Sequence, residues 1–175
     1  VLVNIENGIR SQHAIQFKQT ENLVTQPEYV AKFVKPNEAI VAYFCYNPKN
    51  SDSVTFLVQC IEKNNQQNIT ITVSKNQLSN IPQEMLDAIN HNDDDAYGNA
   101  ANSGFKLFLA PVLKKLFKQT NKLTILPPVY YNTPLIFEGF ISTKNKIGFN
   151  HFNYVFDEYN ISYTPSYTHF VARQK

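Results

Sequence analysis

Tryptophan is absent from this sequence, and arginine, cysteine and glycine are scarce: two, two and five among 175 residues. The two arginines, Arg10 and Arg173, stand near the two ends. Arginine supplies most bidentate contacts to guanine and phosphate, so sequence-specific reading of DNA is not expected. Without tryptophan, a sugar-stacking face is also disfavoured. Two cysteines are too few for a disulfide scaffold. They fall on two expected neighbouring strands, 39–46 and 53–62. A symmetric hairpin there sets Cys45 opposite Phe56 and Cys60 opposite Val41, too far out of register to bridge. Two free, buried thiols are expected.

Long apolar runs are also missing. None approaches the roughly 18 residues that a membrane span needs, so no transmembrane segment is expected and the chain reads as soluble, cytoplasmic or exported. The G-x-S-x-G elbow, the phosphate loop and the G-x-G-x-x-G fingerprint are absent, and no cofactor is expected. Charge of one sign is lacking as well: charged residues make up 17% and the net charge is +2, which argues against both disorder and a nucleic-acid surface.

What is present is asparagine, 21 of them, together with 14 lysines, 13 phenylalanines and 10 tyrosines. This is the composition that AT-rich codons produce. At 43% hydrophobic residues and 175 in total, the chain has the size and content of one core. No repeat or linker divides it, so residues 1–175 read as a single domain. Its first residue is Val1, which suggests a processed protein or a domain cut from a longer one.

Residues 1–5 alternate as a short strand, and 13–17 suggest a second. Pro27 and Glu28 suit the first turn of a short helix over 27–34. Three β-rich runs follow, EAIVAYFCY, SVTFLVQCI and NITITVS, with short polar connections that favour an antiparallel meander. Asn80 and Gln83 resemble a capping box ahead of a helix carrying Ile81, Met85 and Ile89. A third helix is expected through Phe105, Phe108, Val112 and Leu116, with Pro111 as a kink or restart. Its lysines allow a membrane-surface or groove-binding reading, but the breadth of its apolar face fits a packed helix better. From Leu123 onward the runs LTILPPVYY, PLIFEGFIS, FNHFNYVFD and YTHFVAR read as strands, and 12 of the 23 aromatic residues lie between Tyr130 and Phe170. The expected fold is α+β: a three-stranded N-terminal meander and an aromatic-rich C-terminal meander, packed with two central helices and one short N-terminal helix.

Four places could carry chemistry. The stretch HNDDDAYGNAANSGF, residues 91–105, reads as a long interhelical loop, and such loops are often functional. His91, Asp93 and Asp95 are its candidate metal ligands, although the bidentate glutamate of a calcium loop is missing and no second histidine or cysteine stands nearby. On the C-terminal strands, His151 and Asp157 share a face and could meet Tyr167 and His169. A general base and a general acid so placed are the minimum for metal-independent RNA cleavage, with Lys144 or Lys146 offsetting phosphate charge. The plainer reading of these histidines, half-exposed strand residues, is preferred. Cys45 and Cys60 lie mid-strand among apolar residues, a poor setting for a nucleophile. Finally, Tyr97, Asn99, Tyr130, Tyr131, Asn153 and Tyr154 could form an adaptable recognition surface, because tyrosine supplies contact area at small entropic cost. The leading expectation is a protein-interaction or ligand-binding domain of a larger or exported protein, contacting another protein through that aromatic and Asn-rich surface and the loop at 91–104. A small hydrolase or toxin-like ribonuclease built on the histidine pair, with RNA as partner, is the alternative.

Overall fold

The computed structural model describes residues 26–46, 51–128, 135–143 and 148–174. The strands expected at 1–5 and 13–17, and the positions Tyr130, Tyr131, Lys144 and Lys146, lie outside the described residues.

The structure is mixed α and β, as expected. Three long strands, β1 (Glu38–Tyr46), β2 (Ser53–Glu62) and β3 (Asn65–Ser74), pair antiparallel in sequence order. Their register sets Cys45 opposite Phe56 and Cys60 opposite Val41, and both cysteines are free. Burial shows which strand is central. Residues 38–43 of β1 are buried without interruption, the pattern of a strand covered on both faces, whereas β3 alternates for most of its length.

Beyond β1 the sheet continues with β4 (Lys122–Leu126) and β7 (Asn160–Tyr163), giving the order β3-β2-β1-β4-β7. Both added strands run parallel to β1. The aromatic half is therefore not a second antiparallel meander among the described residues. Between β4 and β7 it forms a 3₁₀ turn (Phe137–Gly139), the short pair β5 (Ile141–Thr143) and β6 (Asn153–Tyr154), a second 3₁₀ turn (Phe149–His151) and a one-turn helix, Val155–Glu158. A parallel return needs a crossover of a dozen or more residues. These short elements are that crossover.

Helices cover both faces. On one, α1 (Pro27–Ala31), shorter than the expected 27–34, the turn after it and the C-terminal helix, Tyr167–Gln174, place Val30, Val34, Phe170 and Val171 against Ile40 and Ile61. On the other, Ala39, Val41 and Tyr43 meet α2 (Lys75–His91) and α3 (Asp94–Gly104), with the π-helical turn Phe105–Leu109 and α4 (Ala110–Leu113) after it. The one-turn helix Val155–Glu158 is α5, and Tyr167–Gln174 is α6.

Three sequence expectations are corrected here. The helix placed from Asn80 begins at Lys75: Ser74 accepts from the Gln77 N–H at 3.1 Å, and Gln77 Oε1 accepts from the Ser74 N–H at 3.4 Å. Pro82 lies inside α2, tolerated within a helix held by its cap and by buried Leu78, Ile81, Met85 and Ala88. The loop expected at 91–104 is largely α3, since Asp93 caps the Ala96 N–H at 2.9 Å and Asp94 and Asp95 favour the helix's positive end. The final run YTHFVAR is a helix, begun by Ser166 Oγ accepting from the His169 N–H at 3.1 Å; Tyr167, Phe170 and Val171 have helical spacing.

Two buried carboxylates lie at one end of the sheet. Glu62 accepts from the Phe117 N–H at 2.9 Å, Thr120 Oγ1 at 2.6 Å and Asn65 Nδ2 at 3.0 Å, which ties the approach to β4 onto the end of β2. Glu38 pairs with Lys122 at 3.0 Å across the β1–β4 ladder.

Candidate functional site

The face of α2 that rests on the sheet uses Leu78, Ile81, Met85 and Ala88. One step around the helix stand Pro82, Leu86 and Ile89, a second apolar stripe that the sheet does not cover. Across from it runs the turn at 135–140. Pro82, Met85, Leu86 and Ile89 on one side, Leu135, Ile136 and Phe140 on the other, and Tyr97 with Gly139 enclose a cavity of about 210 Å³. Leu86, Ile89 and Ile136 are 52%, 55% and 60% exposed, so three large apolar side chains face solvent around one cavity. Isolated exposed apolar residues are ordinary in soluble proteins. Several around a single concavity make it the candidate binding site.

The groove is held by polar contacts behind it. The Tyr97 hydroxyl donates to the Gly139 carbonyl at 2.9 Å, and burial, with Tyr154 adding to it, pushes the Tyr97 pKa up to about 12. Tyr97 is thus a neutral donor. A side chain at Gly139 would meet Tyr97 Oη at 3.0 Å and Met85 Cε at 3.1 Å, so the close approach of the turn to α2 and α3 favours glycine there. The Tyr163 hydroxyl accepts from the Phe137 N–H at 3.2 Å and donates to the Glu138 carboxylate, fixing the turn to β7. Burial and then Glu138 keep the Tyr163 hydroxyl protonated far above its ordinary range.

Of the residues singled out as ligand-binding, Tyr97 lies in the groove wall. Tyr154 lies behind it, 6.4 Å from Tyr97 between ring centroids and stacked on Phe156 at 5.1 Å, with its hydroxyl donating to the Phe149 carbonyl. Asn153 is exposed and donates to Thr143 Oγ1 at 2.8 Å, away from the groove lining, and Asn99 is exposed on α3. Of the residues that build the groove, Leu86 and Ile136 were not singled out from the sequence, and Met85 and Ile89 were read there only as part of a helix's apolar stripe. For Leu86 and Ile89 the signal was legible: α2 carries more apolar positions than one buried stripe requires.

The strand faces on which the histidine pair rested are absent. His151 closes a 3₁₀ turn whose neighbours Phe149 and Phe152 pack around Tyr97, on the α2–α3 face. His169 is exposed on α6, whose Phe170 and Val171 pack on the opposite face. Asp157 accepts from the Tyr154 N–H at 3.1 Å. Tyr167 donates to Gln59 Oε1 at 2.6 Å, and burial raises its pKa. Nothing in these contacts brings the four to one point. In the proposed metal group, His91 Nδ1 lies 2.8 Å from the Asp87 carbonyl and Asp93 serves as a cap. Among the described residues no three His, Cys, Asp or Glu side chains are grouped to hold a metal ion. Burial raises both thiols, Cys60 to about 12 with Glu62 adding to it, which leaves them neutral and poorly nucleophilic.

Among the described residues no helix is long and apolar enough to cross a membrane. No family model matches the chain, and no curated protein matches it either.

Proposed function

We propose that this chain is a protein-binding domain of a larger or exported protein, and that it grips one large aliphatic or aromatic side chain of its partner in the groove between α2 and the turn at 135–140. The observation that carries this reading is the coincidence of Leu86, Ile89 and Ile136, all more than half exposed, around one cavity of about 210 Å³. A cavity of roughly 150 Å³ accommodates benzene, and drug-sized ligands occupy roughly 300 Å³ or more, so the space suits a single anchoring side chain.

Charge describes the rest of the partner. Between Lys75 and Lys106 the chain has no lysine or arginine but five carboxylates, at Glu84, Asp87, Asp93, Asp94 and Asp95. The α2–α3 segment that forms one wall of the groove is therefore acidic, and the complementary segment carries lysine or arginine beside its apolar anchor. The contact surface differs from the sheet face and loop expected from sequence, but it keeps Tyr97.

Selection of displayed random peptides against the chain tests the reading. Enriched peptides are expected to share a large apolar residue flanked by basic ones, and to lose binding to Leu86→Asp, a substitution at a half-exposed position whose circular dichroism is expected to match the wild type. Peptides that bind the wild type and Leu86→Asp equally well would place recognition elsewhere and end this reading.

A further inference from the structure

On the opposite face of the sheet, between α6 and the β4–β7 pair, lies a second cavity of about 220 Å³ whose lining mixes polar groups with the rings of Tyr163 and Phe170, where the groove's is almost wholly apolar. Lys122, Thr124, Ser162, Thr164 and Arg173 line it, with Glu38 at its base. We propose that this cavity binds a small oxyanion, a phosphate or carboxylate group, between Lys122 and Arg173.

The polar groups leave little choice of ligand. The Glu38 side chain is wholly buried; its Oε1 receives Lys122 Nζ at 3.0 Å and Thr124 Oγ1 at 3.2 Å. Its charge is met, so it does not call for a cation. Because the Thr124 hydroxyl hydrogen is used on Glu38, the 3.0 Å contact between Thr124 and Ser162 has Ser162 as donor. Thr164 donates to the Ser166 carbonyl at 3.1 Å. The hydroxyl hydrogens are thus committed within the protein.

Unused donors remain on the two cations. Lys122 keeps 33% of its side chain exposed and has ammonium hydrogens beyond the one on Glu38. Arg173 is exposed and forms no ion pair among the described residues. Two cations and one carboxylate leave a net positive charge, and a guanidinium fork suits two oxygens of one anion. The buried Glu38 carboxylate holds the partly exposed Lys122 ammonium in place before any ligand arrives, which lowers the ordering cost of binding.

The test is an NMR titration of the ¹⁵N-labelled chain with sodium phosphate and, separately, sodium acetate, at ionic strength matched with sodium chloride. The signals followed are the Arg173 side-chain N–H and the amides of Ser162 and Thr164. Saturable shifts are expected with at least one anion, and Arg173→Gln is expected to weaken binding about tenfold, the loss of one charge-assisted contact. Saturation by phosphate alone assigns the site to phosphoryl groups; saturation by both assigns it to oxyanions generally. Shifts that do not saturate with either anion, or equal affinity in an Arg173→Gln chain whose spectrum shows an intact fold, overturn the proposal.

Discussion

Gly104, the last residue of α3, shows how one hydrogen atom in place of a methyl group decides packing. A Cβ at this position would overlap the ring of Phe140, which is itself buried and 5.6 Å from Phe137 and 6.5 Å from Phe108 between centroids. Intrinsic propensity opposes this choice, because alanine is better than glycine inside a helix by about 1 kcal/mol. Overpacking a core costs about 1–3 kcal/mol, so the steric term wins. Gly104→Ala is expected to lower the thermal midpoint despite its better helix propensity. Combining it with Phe140→Leu should recover part of the loss, a coupling that thermal unfolding of the single and double variants measures. If Gly104→Ala stabilises the chain, the contact with Phe140 is not as close as described. The buried Cys60 thiol and Tyr97 illustrate the same scale from the side of charge: burial keeps each neutral, so they contribute as packed or hydrogen-bonded groups, whereas Cys45, expected to be buried as well, is only partly so.

At the scale of the element, the ends of helices carried more information than their middles. Two capping patterns compete for the start of α2, Ser74 with Gln77 and Asn80 with Gln83, and each is followed by apolar residues. The structure uses the first, which extends the helix by six residues and carries Leu78 into the core. Ser74→Ala is accordingly expected to cost about 1 kcal/mol, whereas Asn80→Ala, inside the helix and exposed, should be neutral or slightly stabilising. Urea unfolding of both variants decides it, and the reverse order of effects would restore the later start. The aspartate run behaves similarly. Asp93, Asp94 and Asp95 read as a polar loop by composition, yet carboxylates are what a helix N-terminus favours. At the C-terminus, Ser166 followed by apolar residues at 167, 170 and 171 is a helix signal of the same kind. It was masked by the alternation of aromatics just before it.

Across the whole molecule, stability is expected to be greatest at the centre of the sheet. Residues 40–42 of β1 pair with β2 on one side and β4 on the other and are fully buried, whereas β3 and β7 are the edge strands among the described residues. Hydrogen exchange should therefore be slowest at the amides of Ile40, Val41 and Ala42, and faster along β7. Protection of β7 equal to that of β1 would mean that the strand order is wrong or that the β7 edge is covered. The helices divide the two faces unequally. The α2–α3 side buries the larger cluster, while on the α1–α6 side Phe44 and Leu57, directly opposite each other, remain half exposed. The groove and the oxyanion cavity lie on opposite faces, so Leu86→Asp and Arg173→Gln should act independently of one another.

The sequence by itself determined the local and the near in sequence: the mixed class, the three-strand meander with its cysteine register and the start of the short helix at Pro27. These follow from alternation, from hairpin loops short enough to set register, and from apolar neighbours close along the chain. What tertiary structure decided was which distant segments meet. Parallel pairing of β1, β4 and β7 leaves no mark in any one of the strands, because each partner lies across a long crossover and a five-residue apolar run fits either direction. The groove depends on the same kind of meeting, since Leu86 and Ile136 stand 50 positions apart in sequence. Only the sheet that positions α2 and the turn at 135–140 brings them to one cavity.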